Sequence, residues 1–242
     1  MTLKLWTAAL SWNCLRVELV LAEKGVVDVE RVEVDLVRRT FKTPDFLEKS
    51  IYGKVPLFEV DDVLIFESRA ICRYLCLKYP DVGSHLIPEL RNPEERGVWE
   101  MRLLLEATEF DVNISPVFAE TIIKPALQQT PDEVILARHQ PRLETCLDVL
   151  NKTLSEIPFL GGQEFSLVDV FYMPGIYCAT KCIDVFGNRH ALKKWWDGVS
   201  ERKAWAVGVV SLDDFWVRVS PGWKSSPPVA LGEEEEGNRA HL

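Results

Sequence analysis

The 242-residue chain has no run of eighteen apolar residues, the least that crosses a bilayer as a helix. It does not open on a basic stretch followed by an apolar one, so no secretory leader is expected. These two absences predict a soluble, cytoplasmic protein without a membrane partner. Histidine is scarce: four are scattered along the chain, none close in sequence to the pairs Cys72/Cys76 and Cys178/Cys182. The spacing of a zinc site is therefore missing, and no metal is expected. The same scarcity leaves no Ser-His-Asp signature of hydrolysis. Positive charge is short as well, with 28 Lys and Arg against 37 Asp and Glu, a net charge of -9. A phosphate backbone needs clustered basic residues, so nucleic acid is not an expected partner. The six cysteines (14, 72, 76, 146, 178 and 182) lie in apolar, helix-like segments rather than Gly- or Pro-rich loops, and are read as reduced thiols, mostly buried.

What is present is a change of period. Leu3 to Leu10 reads as a short apolar strand, Leu15 to Lys24 as a helix stopped by Gly25, and Val29 to Leu36 as a strand with alternating apolar and charged residues. Thr43 caps a helix with Pro44 at its first position and Gly53 after its end. VPLFEV and VLIF flank Asp61-Asp62 as a hairpin, and Ser68 opens a helix halted at Pro80. The order βαβαββα over 1–80 predicts an α/β thioredoxin-like domain. A connector, 81–93, follows. From 94 to 220 the pattern is helical throughout, at about 94–123, 132–155, 166–186, 189–201 and 202–210, which predicts an all-α domain. Ser166 and Asp169 form a capping box, a folding device. Residues 221–242 are polar, acidic and Pro-containing, the composition of a disordered tail.

One stretch carries chemistry. SWNCLRV, residues 11–17, stands where the first strand hands over to the first helix. In a thioredoxin-type unit a Cys-x-x-Cys pair occupies this place, its first thiolate favoured by the helix start. Here Ser11 holds the first position and Cys14 the second. A serine cannot form a disulfide, but its hydroxyl can donate to the thiolate of another molecule; it is also a preferred helix cap.

Residues 53–75, GKVPLFEVDDVLIFESRAICRYL, resemble the glutathione-binding core of the cytosolic glutathione transferases, with its Val-Pro step and Glu-Ser pair around a hairpin. With SWNCLRV upstream and FSLVD downstream, the resemblance spans about 3–210. The pattern Ser-x-x-x-x-Arg-Val at the N-terminus is most like the phi class of plants and fungi. The resemblance implies a glutathione transferase with glutathione as cosubstrate, and a homodimer pairing the first domain of one chain with the helical domain of the other. It implies that Val55-Pro56 is cis, so that the main chain of Val55 pairs with the tripeptide like an added strand. It implies that Ser68 receives the γ-glutamyl carboxylate, Glu67 answers the α-ammonium, and Lys42 and Lys54 meet the glycyl carboxylate. Two departures fall at this last end. Phe41 stands where the class commonly has histidine, and Ser50-Ile51-Tyr52-Gly53-Lys54 replaces Asn-Pro-Phe-Gly-Gln.

Under that resemblance Ser11 acquires a role. A free thiol with a pKa of about 8.5 needs a shift of roughly two units, about 2.7 kcal/mol, to be mainly thiolate at neutral pH. One hydroxyl hydrogen bond to an anion contributes about 1.5–3 kcal/mol, and a helix N-terminus up to about 1. Ser11 is thus the candidate catalytic residue. Trp12, Phe110, Ile114, Phe118 and Tyr172 are the candidate lining of a hydrophobic-electrophile pocket between the domains. Three function classes stay open: conjugation in detoxification or in a dedicated step of secondary metabolism, glutathione-dependent redox work (peroxide reduction, or thiol-disulfide exchange through Cys14), and a non-catalytic binding module. The C-terminal Ala240-His241-Leu242 loosely resembles a peroxisomal address.

Overall fold

The computed structural model describes residues 2–9, 11–35, 40–206 and 208–209. The expected acidic tail and its terminal tripeptide lie outside the described residues.

The first element, β1 (Leu3–Thr7), alternates buried and half-buried residues, as a strand between two layers must. Leu3 and Leu5 join the main core, while Trp6 points the other way and meets Phe46 edge to face at 5.7 Å. Helix α1 (Trp12–Lys24) begins one turn earlier than periodicity alone suggested, because Ser11 is its N-cap. It ends at Gly25, whose φ of 66° is the left-handed cap that glycine adopts without a Cβ clash. Strand β2 (Glu30–Glu33) follows, then a 3₁₀ turn (Thr40–Lys42) and α2 (Pro44–Lys49). The hairpin β3 (Leu57–Val60) and β4 (Val63–Phe66) turns through Asp61-Asp62, and α3 (Ser68–Lys78) closes the unit.

The described residues form one four-stranded sheet in the order β2-β1-β3-β4, with β1–β2 parallel and the other pairs antiparallel. The mixed sheet follows from connection length. A βαβ crossover makes a parallel pair, whereas a two-residue turn can only make a hairpin. Helices α1 and α3 pack together, Phe46 of α2 lies on the other face, and α1 also touches the helical domain. This is the thioredoxin-like layer.

The helical domain starts with α4 (Pro93–Leu105), capped by Asn92, whose side chain accepts from Glu95 N. The expected uninterrupted helix over 94–123 is instead broken twice by wider turns. A π-turn (Glu106–Asp111) leads into α5 (Val112–Phe118), and a second (Ala119–Ile123) into α6 (Lys124–Ala126). Pro116 and Pro125, each just beyond a wide turn, give no N–H to the helix ladder. Then come α7 (Glu133–Glu156), α8 (Leu167–Ala179) and α9 (His190–Ser200), with further helical residues at 203–206.

Helix α8 is buried almost end to end, and its capping box is complete. The Asp169 carboxylate accepts from Ser166 N (3.0 Å), Leu160 N (2.8 Å) and Trp195 Nε1 (2.8 Å), tying three segments together. A second clasp joins the two layers. Arg202 donates to Glu23 through Nε (2.6 Å) and Nη2 (2.7 Å), and its guanidinium lies 3.8 Å above the Phe165 ring.

Candidate active site

Ser11 sits in extended backbone at the start of α1, half-exposed, and its Oγ accepts from Cys14 N at 3.3 Å. Capping occupies an oxygen lone pair, and the hydroxyl hydrogen, which also reaches the Cys14 sulfur, can rotate toward another acceptor. Cap and donor are compatible roles for the same group.

Cys14 turns inward. It is 1% exposed, and burial pushes its thiol up to about 11, against hydrogen bonds from Ser11, Ala8 and Thr7 that act the other way. A buried thiol held protonated is neither nucleophile nor resolving partner. The first turn of α1 points this side chain into the core, which weighs against redox exchange through Cys14.

Lys54, Val55, Pro56, Glu67 and Ser68 line one cleft of about 160 Å³, together with Asn13, Ser50, Tyr52, Phe66, Arg69 and Asp111. Val55-Pro56 is cis. The Ser50 hydroxyl donates to Lys54 O and accepts from Lys54 N, both at 3.1 Å, which closes the loop that presents Lys54 and Val55. Lys42 stands apart: its Nζ donates to Tyr52 O at 3.2 Å and lies near the Phe41 ring, so it braces the same loop from behind.

Glu67 is the N-cap of α3 with φ 71°, left-handed backbone that is costly for a residue with a Cβ. That conformation turns the chain sharply from β4 into α3. Ser68 is buried, at the helix end where backbone N–H groups are unpaired and an anion is favoured.

Behind this cleft lies a buried ionic chain. Arg16 donates from Nε to Phe171 O (3.0 Å) and from Nη2 to Glu106 (2.7 Å) and Asp111 (3.1 Å), while its Nη1 meets Asn13 Oδ1. Arg69 Nε donates to the other Glu106 oxygen at 2.6 Å. Its Nη2 lies 3.4 Å from Asp111 as an ion-pair neighbour without hydrogen-bond alignment. Five residues separate Glu106 from Asp111, roughly 140° apart on an ordinary α-helix. The i→i+5 bonding of the π-turn brings both carboxylates to one side, where both arginines reach them.

The expected electrophile-pocket residues are divided. Trp12 is half-exposed beside Ser11 and meets Phe118 edge to face at 5.0 Å. Phe110 and Ile114 are buried core, Phe110 packed so closely that a Cβ on Gly175 would come within 2.6 Å of its ring. Phe110 and Tyr172 border a different cavity, of about 260 Å³, between α4, α7 and α8. Neither lines the cleft that holds Ser68, and Phe110 packs on Gly175 of α8.

Asn13, Arg16, Arg69, Glu106 and Asp111 were missed by reading the sequence. A signal existed, since Arg16 and Glu106 interrupt apolar helical runs, and charges in such places must find partners. Among the described residues no group of His, Cys, Asp and Glu could hold a metal ion, and no helix is long and apolar enough to cross a membrane.

Comparison with known proteins gives this geometry its context. Residues 1–76 match the glutathione S-transferase N-terminal domain model, and residues 110–203 the C-terminal domain model. Glutathione S-transferase 3 of Zea mays is 34% identical over 216 residues, covering 87% of this chain and 94% of its own. Glutathione S-transferase APIC of Nicotiana tabacum is 33% identical, covering 88% and 99%. Among solved structures, glutathione transferase F7 from Populus trichocarpa superposes with a TM-score of 0.80 at 31% identity, covering 87% of this chain and 99% of that one. Glutathione S-transferase I from maize, in complex with an atrazine glutathione conjugate, has a TM-score of 0.76 at 26% identity, covering 88% and 99%. With both domain models matched in order and a third of the residues shared over most of its length, the chain belongs to the glutathione S-transferase family, in its phi class, and is a glutathione transferase.

Proposed function

We propose that the protein conjugates glutathione to hydrophobic electrophiles, with Ser11 as the residue that activates the thiol, in detoxification or a dedicated metabolic step. The observation that carries this is the half-exposed Ser11 hydroxyl at the start of α1, two residues from Asn13 in the cleft that runs from Lys54 and Val55 to Ser68. Glutathione lies along Val55, its γ-glutamyl carboxylate at Ser68, its ammonium toward Glu67, and its glycyl end toward Lys54. Lys42 supports that end through the loop. The cysteinyl sulfur then falls near Ser11, which donates to the thiolate. The thiolate lone pair attacks an electrophilic carbon, a C–S bond forms, and the displaced group leaves with the bonding pair. The electrophile rests against Trp12, with Phe118 behind it.

The test is an ultraviolet titration of bound glutathione on the wild type and on Ser11→Ala, beside turnover of an aryl halide such as 1-chloro-2,4-dinitrobenzene. A thiolate band titrating well below pH 8 and moving up by one to two units in the variant is the expected result, on the scale of one hydrogen bond to an anion. Glutathione that binds without forming thiolate at neutral pH overturns the reading. A parallel assay with an organic hydroperoxide separates conjugation from peroxide reduction, which begins from the same thiolate.

We also propose a homodimer between the first domain of one copy and the helical domain of the other. In support, Ile51, Tyr52 and Val63 on the first domain, and Met101 and Leu104 on α4, are large apolar side chains left exposed. Sedimentation equilibrium decides it, a monomer at micromolar concentration being the contrary result. Cytoplasmic residence is proposed as well, and a reporter fused to the last twelve residues tests the alternative address: punctate rather than diffuse signal overturns it.

A further inference from the structure

The glutathione reading above leaves one side chain in the cleft without a task. Asn13 is the second residue of α1, and Arg16 lies one turn further along the same face. The Asn13 carbonyl oxygen takes two donors, Arg16 Nη1 and the Ser68 hydroxyl at 3.4 Å. Arginine has only hydrogens to offer, so the oxygen of the amide must face it and Nδ2 must face away. Among the described residues Nδ2 has no hydrogen-bond partner, and its side chain lines the cleft beside Ser68. Arg16 cannot release this orientation easily, because its remaining donors are held by Phe171 O, Glu106 and Asp111.

We propose that Asn13 is a further binding residue for glutathione, its Nδ2 donating to the γ-glutamyl carboxylate next to Ser68. The proposal rests on the glutathione reading and names which group of the tripeptide is read by this amide. The Ser68 hydroxyl is 3.4 Å from Asn13 Oδ1, the long limit of a hydrogen bond, so its hydrogen transfers readily to an arriving carboxylate. Arg16 meanwhile keeps the amide in place. The carboxylate thus meets two side-chain donors and the free N–H groups at the start of α3, while the acidic pair Glu67 and Asp111 at the same cleft suits the neighbouring ammonium. The buried ionic chain gains a purpose: it holds one amide in one orientation before the ligand arrives.

Calorimetric titration of the full chain tests this with two ligands, glutathione and the analogue in which the γ-glutamyl residue is replaced by 4-aminobutanoyl, which lacks only that carboxylate. For glutathione, Asn13→Ala is expected to weaken binding about tenfold and Asn13→Asp more than that, since the aspartate retains the Arg16 contact but turns an anion toward an anion. For the analogue, both variants bind within about twofold of the wild type. Equal losses for the two ligands would mean that Asn13 acts through structure alone and would overturn the proposal, as would variants that bind glutathione like the wild type. A wild type that binds no glutathione defeats the underlying reading itself, and is distinguishable because it precedes any mutation.

Discussion

Arg16 and Glu106, ninety residues apart, meet through a 2.7 Å hydrogen bond with both side chains fully buried. Each removes the other's burial cost, and Arg69 and Asp111 complete the balance at the domain boundary. Replacing Glu106 by Gln leaves two guanidinium groups facing a neutral amide, one of them without access to water. The expected loss is about 3–5 kcal/mol, the usual penalty for an orphaned buried charge. Urea denaturation at neutral pH measures it, and a loss below about 1 kcal/mol would show that Asp111 alone balances Arg16.

The contact between Phe110 and Gly175 admits no side-chain atom. A Cβ at Gly175 would lie 2.6 Å from Phe110 Cε1 on a helix that is buried all round. Gly175→Ala, which on an exposed helix would be stabilising, is therefore expected to destabilise by about 1–3 kcal/mol through overpacking. Thermal unfolding of G175A, and of G175A combined with Phe110→Leu, checks the cause. Partial recovery in the double variant is the expected outcome.

The clasp between Glu23 and Arg202 gives stability a defined response to acid. Burial alone would raise the Glu23 carboxyl, but hydrogen bonds from Arg202 and Ser84 outweigh it and hold the group below its ordinary range. An acid whose pKa is lower in the folded state contributes stability that is present above its unfolded value, near 4.5, and is lost as pH falls through the folded one. Glu23→Gln should lower the unfolding midpoint at pH 7 and flatten its fall below pH 5. Midpoints measured from pH 3 to 8 for both proteins provide the comparison, parallel curves being the contrary result.

Cys14 should prove chemically silent. With its thiol at about 11, the thiolate fraction at pH 7.5 is below about one in a thousand, and access is blocked as well. Iodoacetamide followed by peptide mass mapping should modify Cys14 only after unfolding, and Cys14→Ala should keep conjugation within about twofold. A folded C14A protein without turnover would return the thiol to the mechanism.

Much of the fold was legible because its signals are local. Gly25 stops α1, Pro44 opens α2, the Asp61-Asp62 turn sets a hairpin, and Ser166 with Asp169 caps α8, each by groups within four residues of one another. The cleft was legible too, in Lys54, Val55, Pro56, Glu67 and Ser68, because all of its lining except Asn13 and Asp111 comes from between Ser50 and Arg69. The wide turns in the helical domain were not. Around Glu106 the apolar pattern continues through LLLEATEF, and nothing in that spacing tells four-residue from five-residue hydrogen bonding.

The order of strands and helices, the caps and stops, the short supply of basic residues and the segment that lines the cleft were determined by the sequence alone, since each depends on neighbours along the chain. Which side chains face one another across the domains was decided only by the tertiary structure. Arg16 finds Glu106 and the Phe171 carbonyl at separations of 90 and 155 residues, Phe110 turns to Gly175, and Cys14 is driven inward one turn from a half-exposed serine. The reason is physical: local hydrogen bonding depends on a few adjacent residues, whereas the pairing of buried charges and the fit of a ring against a glycine depend on how whole elements rotate when they pack.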